Sequence, residues 1–186
     1  MLKRLFGLAI LVLIAARSFA QDSAATSASI LDIGLRLQKG VGLYNENGIS
    51  VAYSNKNLRP GRLYFGFTYI TSRLGTAFNS NAIKQDNFLL SSAYAFRYKH
   101  RLKPFLRANV GYFMADYGNE IFDVLPHKSP MLSTDFGLSY QRNSPLKVQT
   151  SLGYNFITGD GVDGPGTLYP LYYQFTFSWD IFNRKR

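Results

Sequence analysis

Leu171-Tyr172-Tyr173-Gln174-Phe175-Thr176-Phe177-Ser178-Trp179-Asp180-Ile181 decides the fold of this chain. Every second residue, from Leu171 through Tyr173, Phe175, Phe177 and Trp179 to Ile181, is large and apolar or aromatic. Those between are polar apart from Tyr172. A period of two is the signature of a β-strand with two unlike faces, since successive side chains point to opposite sides. The same alternation recurs through Leu31–Leu37, Ile49–Tyr53, Leu63–Tyr69, Phe88–Tyr98, Leu106–Met114, Leu132–Tyr140 and Leu146–Phe156. On the apolar faces of these eight runs only Ser92, Thr134 and Thr150 are polar.

The opposite faces decide the kind of sheet. They read Asp32-Gly34-Arg36, Ser50-Ala52, Tyr64-Gly66-Thr68, Leu89-Ser91-Ala93-Ala95-Arg97, Arg107-Asn109-Gly111-Phe113, Ser133-Asp135-Gly137-Ser139, Lys147-Gln149-Ser151-Gly153-Asn155 and Tyr172-Gln174-Thr176-Ser178-Asp180. A soluble barrel such as a lipocalin turns its apolar face inward, whereas an outer-membrane barrel turns that face to lipid. A water-facing sheet surface is rich in Lys and Glu. Here the polar face contains no Glu and is dominated by small residues, which suit the cramped lumen of an eight-stranded barrel. Tyr, Phe and Trp recur near strand ends on the other face, as an interfacial girdle requires. The expected fold is therefore all-β: an eight-stranded antiparallel transmembrane up-and-down β-barrel over residues 30–182.

Connection lengths agree. Asn55–Gly61, Lys99–Lys103 and Gln141–Pro145 are short and carry turn residues. Gln38–Gly48, Ser72–Asn87, Ala115–Pro130 and Ile157–Pro170 are longer. Alternating short turns and long loops are expected of a barrel whose turns and termini face the periplasm.

The pattern resembles the small eight-stranded outer-membrane barrels of Gram-negative bacteria. The most specific part of the resemblance is Tyr173–Phe182, which looks like the terminal signal read by the barrel assembly machinery; here a tail of residues 183–186 follows it. The resemblance implies residence in the outer membrane, contact with its lipid and handling by that machinery during biogenesis. Ser18-Phe19-Ala20-Gln21 resembles the cleavage region of Bacteroidetes exported proteins.

That region closes the first segment. Residues 1–20 have a basic start at Lys3 and Arg4, an apolar run from Leu5 to Ala16, and small residues at Ser18 and Ala20. This reads as a secretory signal peptide, and the run is short for a membrane-spanning helix of about 20 residues. Residues 21–29 read as a flexible start. The 186 residues include no cysteine, which excludes a disulfide framework, a thiolate metal site, a cysteine nucleophile and a lipoprotein anchor.

The net charge is +10, from 21 Lys and Arg against 11 Asp and Glu. Its distribution follows the topology. The short turns and tail hold Lys56, Arg59, Lys99, Arg101, Lys103, Arg142, Arg184, Lys185 and Arg186 and no acid; this is the expected periplasmic basic rim. The long loops hold Glu46, Asp86, Asp116, Glu120, Asp123, Asp160 and Asp163 against Lys39, Arg73, Lys84 and Lys128. A basic rim suits anionic headgroups, or an acidic periplasmic or membrane protein partner. It gives no reason to expect nucleic acid. Asp32, Arg36, Arg97, Arg107, Asp135, Lys147 and Asp180 fall on the lumen face, where charges need partners, and are expected to form an ion-pair network.

Catalytic signals are few. His127-Lys128-Ser129 resembles the His-x-Ser of outer-membrane lipid A deacylases, in which His serves as base to a Ser nucleophile. It falls between Pro126 and Pro130 in an expected loop, and the next acid, Asp135, points into the lumen. Asp160-Gly161-Val162-Asp163-Gly164 lacks the ligand spacing of a calcium loop. No catalytic residue, metal or cofactor is expected. The expected role is non-enzymatic: structural, adhesive or as a complex subunit. A lipid-modifying enzyme and a narrow channel are the alternatives.

Overall fold

A computed structural model describes residues 29–40, 44–55, 62–77, 83–96, 100–118, 120, 126–142, 144–156 and 170–182. The alternating runs form eight strands: β1 (Ile30–Gly40), β2 (Tyr44–Ser54), β3 (Leu63–Ala77), β4 (Ile83–Ala95), β5 (Leu102–Tyr117), β6 (Lys128–Gln141), β7 (Leu146–Asn155) and β8 (Leu171–Asp180). Each pairs antiparallel with its sequence neighbour, and β8 returns to β1 to close the barrel. The closing register runs from Asp32 opposite Asp180 to Gly40 opposite Tyr172, so no sheet edge is left open.

The parity of every strand follows the apolar pattern. Leu35 on β1 is 62% exposed and Leu152 on β7 is 66% exposed; Val110, Phe136 and Trp179 also lie on the outside. The interior is mostly polar. Arg36, Asn87, Asn109, Asp135 and Gln174 are among its buried side chains. A barrel in water would have the opposite arrangement, because apolar burial drives folding there. Tyr69 against Phe88, Tyr154 against Phe156 and Tyr173 against Phe175 form ring pairs on the outward face toward the barrel end opposite the termini.

The strands run further than hydropathy indicates. Two connections expected to be long, Gln38–Gly48 and Ser72–Asn87, lie largely within strands, and the strands take in both ends of a third, Ala115–Pro130. β1 reaches Gly40, β2 begins at Tyr44, β3 reaches Ala77, β4 begins at Ile83, β5 reaches Tyr117 and β6 begins at Lys128. The physical reason is solvent. Beyond the apolar band the outward face carries polar residues too, among them Lys39, Asn45, Lys84 and Asp116, so the hydrogen-bonded ladder continues where the hydrophobic period has stopped. Lys39 opposite Asn45 and Lys84 opposite Asp116 are ladder pairs of this kind. The register shifts between Asn45 and Asn47 of β2, where β3 carries extra residues. Asn47 Nδ2 donates to the Leu74 carbonyl, and Asn45 Nδ2 donates to Thr76 Oγ1 at 2.9 Å.

Candidate functional site

The lumen concentrates the buried polar chemistry. At the end carrying the termini, Lys147 of β7 contacts Asp32 of β1, and its ammonium lies 4.9 Å from the centre of the Tyr64 ring. Asp180, the cross-strand partner of Asp32, accepts a hydrogen bond from the Phe182 amide at 3.1 Å. At mid-lumen, Asp135 Oδ1 accepts from Gln174 Nε2 at 3.0 Å, and Oδ2 accepts from Asn109 Nδ2 at 3.0 Å. Arg107 Nε is 3.7 Å from the same carboxylate, and its guanidinium lies 4.9 Å from the Phe105 ring centre. Tyr172 donates to Ser133 Oγ at 3.2 Å.

Further along, Arg36 is fully buried and donates through Nη2 to Gln38 Oε1 at 3.1 Å. Gln38 Nε2 donates to Glu46 Oε2 at 2.9 Å, and Asn87 Nδ2 donates to Glu46 Oε1 at 2.9 Å. Gln85 Nε2 donates to Asn87 Oδ1 at 2.8 Å. Beside this relay, Ile70, Leu89, Phe113 and Met131 pack together inside the barrel, with Ala115 against them. The lumen is thus crossed by a hydrogen-bonded chain and filled at this level by apolar side chains.

The sequence-derived lumen set is therefore distributed over separate levels. Asp32 and Lys147 meet, as do Arg107 and Asp135, whereas Arg36 engages Gln38 and Asp180 engages backbone. Arg97 lies outside the described residues. Of the expected rim, Arg101 and Arg142 are exposed, while Lys56, Arg59, Lys99 and Arg184–Arg186 lie outside the described residues. Lys103 is a correction: it sits on β5 opposite Ser139, partly buried, and lines the lumen. Pro104 beside it has the look of a turn residue, which hid the continuation of the strand.

Glu46 is a second correction, from outer-loop acid to buried lumen acceptor. Asn45-Glu46-Asn47-Gly48 has turn-like composition, although period two counted back from Ile49 puts Glu46 inside. Arg62 escaped notice between a turn and a strand; it is exposed and donates to the Tyr94 hydroxyl at 3.2 Å. Arg73, expected in a loop, extends from β3 to Asp86 of β4 at 2.9 Å and toward Asp116 of β5 at 3.9 Å. These residues lie on the outward face past the Tyr69–Phe88 pair, beyond the apolar band. Burial pushes the Asp86 carboxyl up, but hydrogen bonds from Thr71, Arg73 and Tyr69 outweigh it and hold the group below its ordinary value.

His127-Lys128-Ser129 is not a loop motif: Lys128 and Ser129 open β6. His127 is exposed, with its ring 4.8 Å from that of Tyr117, while Ser129 is buried and donates to the Pro130 carbonyl at 2.9 Å. Burial pushes the Tyr117 phenol up to about 12. Asp160–Gly164 lies outside the described residues. Among the described residues no group of three or more Asp, Glu or His side chains is placed to hold a metal ion.

An outward apolar band, a filled polar lumen and full closure occur together. The fold is an eight-stranded membrane β-barrel. No protein-family profile matches the sequence, and no curated protein matches it. Among solved structures, the de novo designed barrel TMB2.3 is similar at a TM-score of 0.51 with 14% identity, over 87% of this chain and 98% of that one. Neisserial surface protein A gives 0.48 with 17% identity, over 81% and 92%. OprG from Pseudomonas aeruginosa gives 0.48 with 12% identity, over 82% and 94%.

Proposed function

We propose that this chain is a non-enzymatic, integral barrel of the bacterial outer membrane, with both termini in the periplasm. It serves as a structural subunit that docks an anionic partner through its basic rim. The carrying observation is the rim itself. Arg62, Arg101 and Arg142 are exposed at the end where the termini lie, and the described acids at that end, Asp32 and Asp180, are buried in the lumen. Closing a hairpin does not require cations, since Asn, Gly and Ser suffice. One-signed charge of this kind instead steers an oppositely charged surface toward the rim. An acidic periplasmic or membrane protein is the proposed partner, and outer-membrane lipid surrounds the apolar band. The barrel assembly machinery would insert the chain.

Crosslinking in intact outer membranes, followed by pull-down, tests the reading. Wild type should retain an acidic partner that the Arg62→Gln, Arg101→Gln, Arg142→Gln triple variant loses, with both proteins folded. Equal recovery from both would refute docking through the rim. A narrow channel is disfavoured by the packing of Ile70, Leu89, Phe113 and Met131 inside the barrel. Planar-bilayer recordings without conductance are expected.

A further inference from the structure

Toward the end of the barrel that carries the termini, the lumen keeps a cavity of about 50 Å³. Lys103, Arg107 and Lys147 all line it, together with Tyr64, Gln149 and Thr176, and no acid occurs among its described lining residues. We propose that this cavity is a binding site for a small phosphate oxyanion.

Three buried carboxylates lie near the cavity, Asp32, Asp135 and Asp180, but none of them lines it. Asp32 takes the Lys147 ammonium, and Asp135 takes the amides of Asn109 and Gln174. Arg107 keeps only a loose ion pair at 3.7 Å. Lys103 has no carboxylate within salt-bridge distance among the described residues. Three cations thus line a cavity whose described wall carries no carboxylate, and Lys103 is the one of them without an ion pair among the described residues. Thr176 Oγ1 is buried on its wall without a hydrogen-bond partner. Such a group costs free energy unless water or a ligand satisfies it.

The wall supplies the chemistry that an oxyanion takes: ammonium, guanidinium, phenol, amide and hydroxyl donors on facing strands. Charge-assisted hydrogen bonds of this kind are shorter and stronger than neutral ones. The space holds a few water-sized groups, so an ion of a few heavy atoms fits whereas a lipid with its chains does not. Phosphate could enter as the free ion or as a headgroup reaching in from the membrane edge. The two sources present the same oxygens to the same donors.

The full-length protein, without its residues 1–20 if these are cleaved, is refolded in octyl glucoside, which contains no phosphate. Inorganic phosphate is then titrated while amide resonances are followed. Saturable shifts should centre on Lys103, Lys147 and Thr176. Lys103→Met should weaken binding at least tenfold, and Thr176→Val several-fold, with spectra that otherwise remain those of the folded barrel. Lys39→Gln, exposed at the opposite end of the barrel, should leave binding unchanged. A parallel preparation in phospholipid nanodiscs separates the sources. Shifted resonances there before phosphate is added would keep the site and assign the headgroup as its source. Absence of saturable shifts in both preparations, or binding as tight in Lys103→Met as in wild type, would overturn the proposal.

Discussion

Gly153 of β7 and Tyr172 of β8 are cross-strand partners, and the Tyr172 ring occupies the space that a Cβ at position 153 would need. The ring is 2% exposed and its hydroxyl reaches Ser133. Glycine therefore serves close approach here: it lets one aromatic ring lie flat across the lumen wall. Gly153→Val should force the ring away and break the Ser133 bond. The expected loss is about 1–3 kcal/mol, typical of an overpacked core. Urea unfolding in detergent micelles measures it, and a midpoint equal to wild type would show that the ring is free to move.

The outward face makes a complementary demand. Phe67 and Leu152 lie on the exterior, while Ser151 is buried in the lumen. Phe67→Arg or Leu152→Arg should destabilise the barrel in lipid by about 2–4 kcal/mol where the site lies near the bilayer midplane. Ser151→Asn should cost less. The reverse order of costs would mean that the faces had been exchanged.

Inside the lumen, removing an acid should matter more than its single charge suggests. Asp135→Ala takes one acceptor from each of the Asn109 and Gln174 amides, which keep Ser133 and Ser151, and leaves Arg107 without its only carboxylate within 4 Å among the described residues. Leaving a buried charge uncompensated costs about 3–5 kcal/mol. Asp135→Asn keeps an acceptor and should cost less. The ranking can be read from the temperature at which electrophoretic heat-modifiability is lost.

Asp86 provides a pH test. Its folded value is depressed, so its contribution is complete above the ordinary carboxylate value of about 4 and is lost as pH falls through the folded value. Wild type should exceed Asp86→Asn in stability at pH 6, and the gap should narrow progressively below pH 4. A gap that widens on acidification would contradict the assignment of Thr71, Arg73 and Tyr69 as its donors.

The sequence shows this architecture most clearly where lipid meets one face and the lumen the other. Leu171–Ile181 has both solvents in register and reads directly. The signal fails where the two faces are alike in polarity. Lys39 and Asn45 pair in a ladder that hydropathy cannot detect, because the outward face there is as polar as the inward one, where Gln38 and Glu46 are buried. Lys103 and Glu46 were recoverable by parity, counting back from Leu106 and Ile49, but Pro104 and the Asn-Gly composition suggested turns. The level at which each lumen charge sits was not legible. It depends on strand register, which brings Asp32 to Lys147 across a sequence separation of 115 residues. The apolar group of Ile70, Leu89, Phe113 and Met131 was visible only in part, since Ile70 and Met131 sit at the margins of the alternating runs.

The central claim, lipid outside and a filled polar lumen inside, is tested most directly by spin-label accessibility along β8. The chain has no cysteine, so single cysteines can be placed one at a time without background. In vesicles, labels at Tyr173, Phe175, Phe177 and Trp179 should collide freely with dissolved oxygen. Labels at Tyr172, Gln174, Thr176 and Ser178 should be shielded from it, giving a period of two along the strand. Oxygen accessibility in the opposite phase, or uniform access to a water-soluble nickel relaxant at all eight sites, would contradict the account.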